Sequence, residues 1–505
     1  RVTVGTIEAA TAAGVATLTL RDVRLHDARG HEALHLPQVL AALSVTSLWR
    51  LGFDQIVIDG PTLEVRRLAD GRLQVAGLEL ASTGGDSPAA DWFFGQREFA
   101  LRAGVLRWID EQRPNAPPLA LTAVDLVVRN PGLRHEFRLD ATPPAEWGDR
   151  FSVRGRFARP FWQTHPGRWR EWSGELFVLA PRLDAQRLGA YVDTAALWGV
   201  RELRATGALR LWADVRRAQW RAATADVQWS DVHVVWAPSA QARVEPLRVA
   251  HLGGRLGLER DGDTTVWTTQ GLAITTGDGS DWPRGDVRFE YALAPDGALR
   301  SWALSSDRLD LGVVQRLARV LPVGEAVNHW AEQTQPAGVA EGLAVRWSAP
   351  PKPGASEHWE ARGRVRGLGL RAGAVPGETA FGRPGLEGAD VEFALDERGG
   401  RATLALRHGA LVFPGVFEDP RLTFDELSAD ARWTIEGPAI TLDVSRLSFA
   451  NADAAGSGSV RWRTADPAHS AVRDRFPGRM TLDVRLTRAD GARVARYLPV
   501  TVGAS

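Results

Sequence analysis

Short runs of alternating apolar and polar residues follow one another from Val2 to Leu486, with turn signals between them. In the run over 286–293, Val287, Phe289, Tyr291 and Leu293 fall on one face of a strand, and Asp286, Arg288 and Glu290 on the other. Later runs repeat the pattern with Val391, Phe393 and Leu395; Leu404 and Leu406; Leu422 and Phe424; Trp433 and Ile435; Leu442 and Val444. Asp70-Gly71, Asp261-Gly262, Asp296-Gly297 and Gly399-Gly400 sit between such runs, which is hairpin chemistry. The pattern predicts a meander of antiparallel strands, not a βαβ series. Each strand then has one apolar face, and helical periodicity is too rare to cover it. Either two sheets close on each other, or the apolar face lines a groove.

Three segments have helical spacing. Over 310–335, Val313, Leu317, Val320 and Leu321, then Val327, Trp330 and Ala331, predict two short helices divided by Pro322. Leu188, Tyr191 and Val192 predict a helix over 184–198, and a third runs from Asp490 to Tyr497. Each follows a strand and starts at an aspartate placed as an N-cap: Arg182-Leu183-Asp184, Arg308-Leu309-Asp310 and Arg488-Ala489-Asp490. Convergence of strand-to-helix junctions on capping residues accounts for this, and so does a spaced structural repeat. The repeat divides the chain into an N-terminal β-unit over 1–180, a second over 181–307 opened by a short helix, and a third over 308–505 opened by a helix pair. Segments 81–90, 112–118, 143–148, 349–356 and 374–388 read as loops.

Composition narrows the functions. Lys+Arg and Asp+Glu both number 61, so the chain lacks the net positive charge of a nucleic-acid binder. With 505 residues and 44% hydrophobic content it can bury a sizeable surface. It has no cysteine, hence no disulfide or thiolate chemistry, which fits an oxidising compartment. No apolar run is long enough to span a bilayer. The first residue, Arg1, is already in strand-like alternation, and the chain stops just after a helix start, so both ends read as cuts through a longer protein.

His31-Glu32-Ala33-Leu34-His35 matches the zinc-protease pattern, but that chemistry needs a helix, and Gly30 and Pro37 leave no room for one. No metal site is expected. Carboxylates are plentiful, but no pair stands out, and no nucleophile elbow, phosphate loop or dinucleotide fingerprint is present. An enzyme on a β-scaffold is the weakest reading. The 20 tryptophans, with Trp162, Trp169 and Trp172 clustered and Trp212, Trp220, Trp229 and Trp236 recurring, suit core packing, the rim of an apolar groove, or stacking on sugar rings.

The run 18–27 leading to Gly30 and 33–37, then Ile58-Asp59-Gly60-Pro61 and Asp70-Gly71-Arg72, forms an ordered series. It continues with Trp172-Ser173-Gly174 before Asp184, Leu309-Asp310-Leu311 with Leu321-Pro322, Asn451 with Gly456-Ser457-Gly458, and Arg496-Tyr497-Leu498-Pro499. This series resembles the AsmA-like superfamily, most closely its YhdP branch, with TamB as a more distant relative. The resemblance implies a periplasmic protein held in the inner membrane by an N-terminal helix outside this chain. It implies an elongated, curved antiparallel β-sheet groove with a few short helices. It also implies passage of phospholipid acyl chains along that groove between inner and outer membrane. It carries no catalytic residues and no cofactor, and its membrane partners bind through regions outside this chain. The apolar residues named in the first paragraph are then the expected groove lining. Roughly 25 to 30 strands in one ladder would make a trough ~120–145 Å long. The rival is a non-catalytic scaffold or glycan-binding β-protein that assists outer-membrane assembly.

Overall fold

A computed structural model describes residues 2–12, 15–26, 32–44, 47, 52–75, 78–80, 88–113, 116–191, 200–236, 246–277, 279, 281–282, 285–318, 325–350, 352, 356–374, 382–465 and 478–498. His31, residues 192–198 of the second expected helix, Val320 to Pro322, and residues 375–381 of the last expected loop lie outside these.

The chain is mainly β, as the alternation predicts, and packs as two units: 1–237 with 248–261, and 238–247 with 262–505. In unit 1 the strands are β1 (Val2–Ala12), β2 (Val15–His26), β3 (Glu32–Leu43), β4 (Gln55–Asp59), β5 (Thr62–Arg67), β6 (Leu73–Val75) and β7 (Leu78–Leu80). Helix α1 (Pro88–Gly95) follows, then β8 (Glu98–Asp110), β9 (Leu119–Arg129), β10 (Arg134–Thr142), β11 (Phe151–Ala158) and β12 (Ser173–Asp184). A short α2 (Ala185–Leu188) leads to β13 (Val200–Arg216), β14 (Gln219–Trp236) and β15 (Leu247–Asp261). Unit 2 begins with β16 (Thr264–Thr276), β17 (Val287–Leu293) and β18 (Leu299–Asp310). Helices α3 (Leu311–Ala318) and α4 (Glu325–Thr334) follow. Then come β19 (Ala337–Ser348), β20 (His358–Leu370), the two-residue β21 (Gly373–Ala374) and β22 (Gly382–Arg383), and β23 (Gly385–Asp396). The last are β24 (Gly399–Val412), β25 (Arg421–Glu436), β26 (Ala439–Ala450), β27 (Ala454–Arg463) and β28 (Arg479–Ala489).

The meander is not uniform. β4 and β5 both pair with β8 in parallel, Ile56 opposite Phe99 and Thr62 opposite Val105. Gly60, with φ of 63°, and Pro61 break one strand into these two pieces. A parallel pair needs a crossover, and β6, β7 and α1 supply it. The expected loop over 81–90 therefore ends in a helix. Pro88 is compatible with a first helical turn, and the aromatic run behind it packs down. Phe93 meets Phe99 at 4.9 Å between ring centroids, and Phe94 meets Trp172 at 4.8 Å. The expected loop over 374–388 likewise yields its last residues to β23.

Many strands are crossed by one residue in the left-handed region: Asp22, Ala103, Ala123, Asp231, Gly271, Gly342, Gly367, Gly388, His408 and Arg446. At several of these the register shifts, as between Glu341 and Ala344 or Val365 and Leu368. These are β-bulges, which bend the strand and re-aim its side chains. The apolar spacing steps from two to three across them, so Ala340 and Leu343 join one cluster, as do Val365 and Leu368. An aspartate on, or just before, the next strand braces three of the bulges. The backbone N–H of Ala103, Gly271 and Gly367 donates to Asp125, Asp286 and Asp390 at 3.0, 2.7 and 2.9 Å. A Cβ at Gly342 would meet nothing within 4 Å, so only its φ of 58° restricts substitution. Gly342→Val should therefore cost about 1–2 kcal/mol of stability in denaturant unfolding, the left-handed penalty for a β-branched residue.

The three strand–aspartate–helix junctions form. Asp184 accepts from Gln186 N–H at 2.9 Å, Asp310 from Val313 N–H at 2.9 Å, and Asp490 from Ala492 N–H at 3.0 Å. The third element is a 3₁₀-helix, Gly491–Tyr497, rather than the α-helix expected.

Candidate functional apolar face

Residues directly opposite on paired strands share a face, so the register traces each face across a unit. In unit 2 one row runs Trp267, Phe289, Leu304, Val345, Ala361, Leu395, Gly400, Trp433, Leu442, Trp462, Met480. Every member is apolar. From Phe289 to Trp462 every one is half-buried, neither sealed nor fully exposed. Beside it runs Gly363, Phe393, Ala402, Ala431, Val444, Val460, Leu482. The opposite face is polar: Arg288, Ser305, Ala344, Arg362, Ala394, Arg401, Arg432, Asp443, Arg461 lie in register there.

Unit 1 has its own row, which the sequence reading missed: Ile7, Leu20, Val39, Ile58, Leu101, Leu126, Leu139, Val153, Val178, Leu211, Ala225. Val39, Ile58 and Leu101 are buried, and the row is half-buried from Leu126 onward. The alternation of Phe151 with Val153, Leu176 with Val178, and Leu209 with Leu211 was the available signal. Each row crosses eleven strands, about 48 Å along the ladder at ~4.8 Å per step. Glycines within the face make room for aromatic rings. A Cβ on Gly155 would lie 2.2 Å from the Phe137 ring, and one on Gly400 would lie 2.6 Å from the Trp433 ring.

The expected lining residues divide by their surroundings. Phe289, Leu395, Trp433 and Leu442 lie on the first row, Tyr291 faces Trp302 beside it, and Ile435 pairs with Ile440 at a hairpin end. Val287 and Phe393 pack against the cluster of Trp282, Leu309 and Val313, the last from α3. Leu406 and Leu422 are buried; Leu406 centres a cluster that includes Val391, Leu404 and Phe424. Val444 lies on the second row. Leu293 sits past a register shift and is 37% exposed. The apolar face is therefore a mixture of sealed core and open positions.

The tryptophans also divide. Trp172 is buried, Trp229 Nε1 donates to the Ala208 carbonyl at 3.1 Å, and Trp212 stands on the side opposite the unit 1 row, with Arg255 5.8 Å from its ring centroid. Residues 32–35 run as strand, and His35 Nε2 meets Asp22 Oδ1 at 2.7 Å, so the zinc-protease spacing lacks its helix.

In unit 1 the half-buried face meets α1 around a cavity of about 360 Å³ lined by Phe93, Phe94, Val128, Phe137, Phe157, Trp172 and Val215. His135 forms part of its wall, stacked on Trp172 at 3.9 Å between centroids. Its Nδ1 is 2.7 Å from Asn130 Oδ1, and Asn130 Nδ2 donates to the Gln96 carbonyl at 2.7 Å. This network assigns the proton to Nδ1. Burial, helped by the positive charge of Arg159, pushes His135 down to about 4. The unfolded chain then binds the proton more tightly than the folded one between pH 6.5 and 4, so stability falls as pH drops through that window. About 2 kcal/mol should be lost from this group by pH 4.5. Urea unfolding of His135→Phe against the parent at pH 7 and 4.5 reads that share as a smaller pH dependence in the variant.

No helix among the described residues is long and apolar enough to cross a membrane. A family model described as YhdP protein matches residues 1–505. Neither the curated proteins nor the solved structures yield a match.

Proposed function

Because the chain belongs to the YhdP family, we propose that its apolar rows carry phospholipid acyl chains through the periplasm, between inner and outer membrane. The observation that carries the reading is the unit 2 row, apolar at every strand yet sealed at none between Phe289 and Trp462. A soluble protein with nothing to bind gains by burying such a surface or making it polar. A phospholipid with two sixteen-carbon chains presents about thirty methylenes, and at ~0.8 kcal/mol each their exposure to water costs on the order of 25 kcal/mol. A row of apolar side chains lowers that barrier, since each step exchanges one apolar contact for another. Head groups remain in water and need no specific pocket, so no catalytic group enters the mechanism. The Asp-capped junctions at 184, 310 and 490 mark the repeat we propose, with units 1–180, 181–307 and 308–505.

Mass spectrometry of lipid extracted from the purified chain tests the reading. Phospholipid in stoichiometric amount is expected; a preparation free of lipid and unable to take it up from micelles would contradict it.

A further inference from the structure

The hairpin ends of unit 1 beside α1 turn apolar side chains into solvent. Phe161 and Trp162, at the tip of the loop between β11 and β12, are 80% and 63% exposed. Their rings pack edge to face at 4.9 Å. Trp92 on α1, Leu133 in the β9–β10 turn and Trp169 are also exposed. Hydrogen bonds gather these segments into one surface. Arg159 N–H donates to the Leu133 carbonyl at 3.0 Å, and Gly167 N–H donates to Asp91 Oδ1 at 2.7 Å. His165 Nδ1 lies 2.9 Å from Asp91 Oδ2. The tip is held in shape by Arg159 Nη1, which donates to the Gln163 carbonyl at 2.7 Å.

The charge of this surface is not balanced. Asp91 is occupied by His165 and Gly167, and Glu171 faces Arg168 at 3.7 Å. Arg170 lies 5.3 Å from the centroid of the Trp169 ring. Neither Arg170 nor Arg134 has an ion-pair partner among the described residues. Aromatic rings with one wet edge, beside unpaired arginines, suit the boundary between anionic head groups and acyl chains.

We propose that this rim docks on the surface of an anionic phospholipid bilayer, with Phe161 and Trp162 inserted among the head groups. A bilayer fits better than a protein partner. The patch is a loop tip with two projecting rings, not a broad complementary surface of the size a stable protein interface requires. A deformable lipid surface accepts such a wedge. The aromatic cavity of about 360 Å³, with Trp169 on its lining, lies behind the rim. It would be the first apolar space met by a chain leaving the bilayer, a role that rests on the groove reading, whereas docking does not.

Flotation of the chain with vesicles tests the proposal. Phosphatidylcholine vesicles with and without phosphatidylglycerol would be compared for the parent, Phe161→Ser/Trp162→Ser and Arg134→Gln/Arg170→Gln. Far-UV circular dichroism and the thermal midpoint check that the variants are folded. The parent should float with the anionic vesicles, and the aromatic variant should bind about tenfold less or weaker still. The arginine variant should lose the preference for phosphatidylglycerol. A parent that stays at the bottom of the gradient, or an aromatic variant that floats as the parent does, overturns the proposal. So does a rim that ignores vesicles but binds a defined protein partner through Phe161 and Trp162. Co-purified lipid is measured on the same preparations. A parent that floats but carries no lipid supports docking and contradicts the groove.

Discussion

Leu395→Arg should lower the phospholipid held by the chain by about tenfold or more, while Thr434→Arg leaves it unchanged. Leu395 lies on the unit 2 row between Ala361 and Gly400, half-buried and outside the packed clusters. A guanidinium there faces acyl chains, and leaving a charge poorly solvated against hydrocarbon costs several kcal/mol. Part of this is recovered because the long side chain can bend its head toward water. A residual ~2 kcal/mol still corresponds to more than a tenfold loss of affinity. Thr434 is exposed and sits opposite Gly399 on the polar face, so the same charge adds nothing to the lipid path. Phosphorus per protein measures the outcome, with strand content checked by circular dichroism. Equal lipid in both variants would mean that acyl chains do not lie on this face.

Leu406→Ala should cost about 3 kcal/mol of folding stability, and Leu442→Ala less than about 1 kcal/mol. The alternation makes both residues groove candidates, yet their surroundings differ. Leu406 is 2% exposed and packs with Ala389 and Leu427, so its removal leaves a cavity that the sheet cannot easily collapse. Leu442 lies between Trp433 and Trp462 on the open row and loses only partial burial. The lipid assay should reverse the order, with Leu442→Ala the more affected per unit of stability lost. Denaturant midpoints with unchanged slopes check the first half. Equal destabilisation by the two substitutions would show that the row is core throughout.

Strand identity and the facing of side chains were legible in the sequence because a period of two survives within each straight segment. Phe289 and Tyr291 show it plainly. The bends were not legible. Ala103, Ala123, His408 and Arg446 adopt left-handed conformations although none is a glycine, and the extra residue at each bulge shifts the apolar phase. Leu121 and Val124, on either side of Ala123, therefore share one cluster although they are three positions apart. Parallel pairing of β4 and β5 with β8 was also hidden, because the crossover contains only two short strands and α1. Which apolar positions are sealed depends on neighbours across the ladder. Gly400 beneath Trp433 and Gly155 beneath Phe137 are properties of register, which no single run of residues carries. The Asp-capped helix starts were legible because one side chain supplies the whole local device.

The central claim is that acyl chains lie along the apolar rows of both units. A photoreactive amino acid placed singly at Leu395 or Leu442 in unit 2, Val178 or Leu211 in unit 1, and Thr434 or Arg210 on the opposite faces tests it most directly. Cross-linking in cells, followed by intact mass measurement, should add a phospholipid mass at the four row positions and none at Thr434 or Arg210. Adducts absent from the rows, or equal on both faces, would contradict the account.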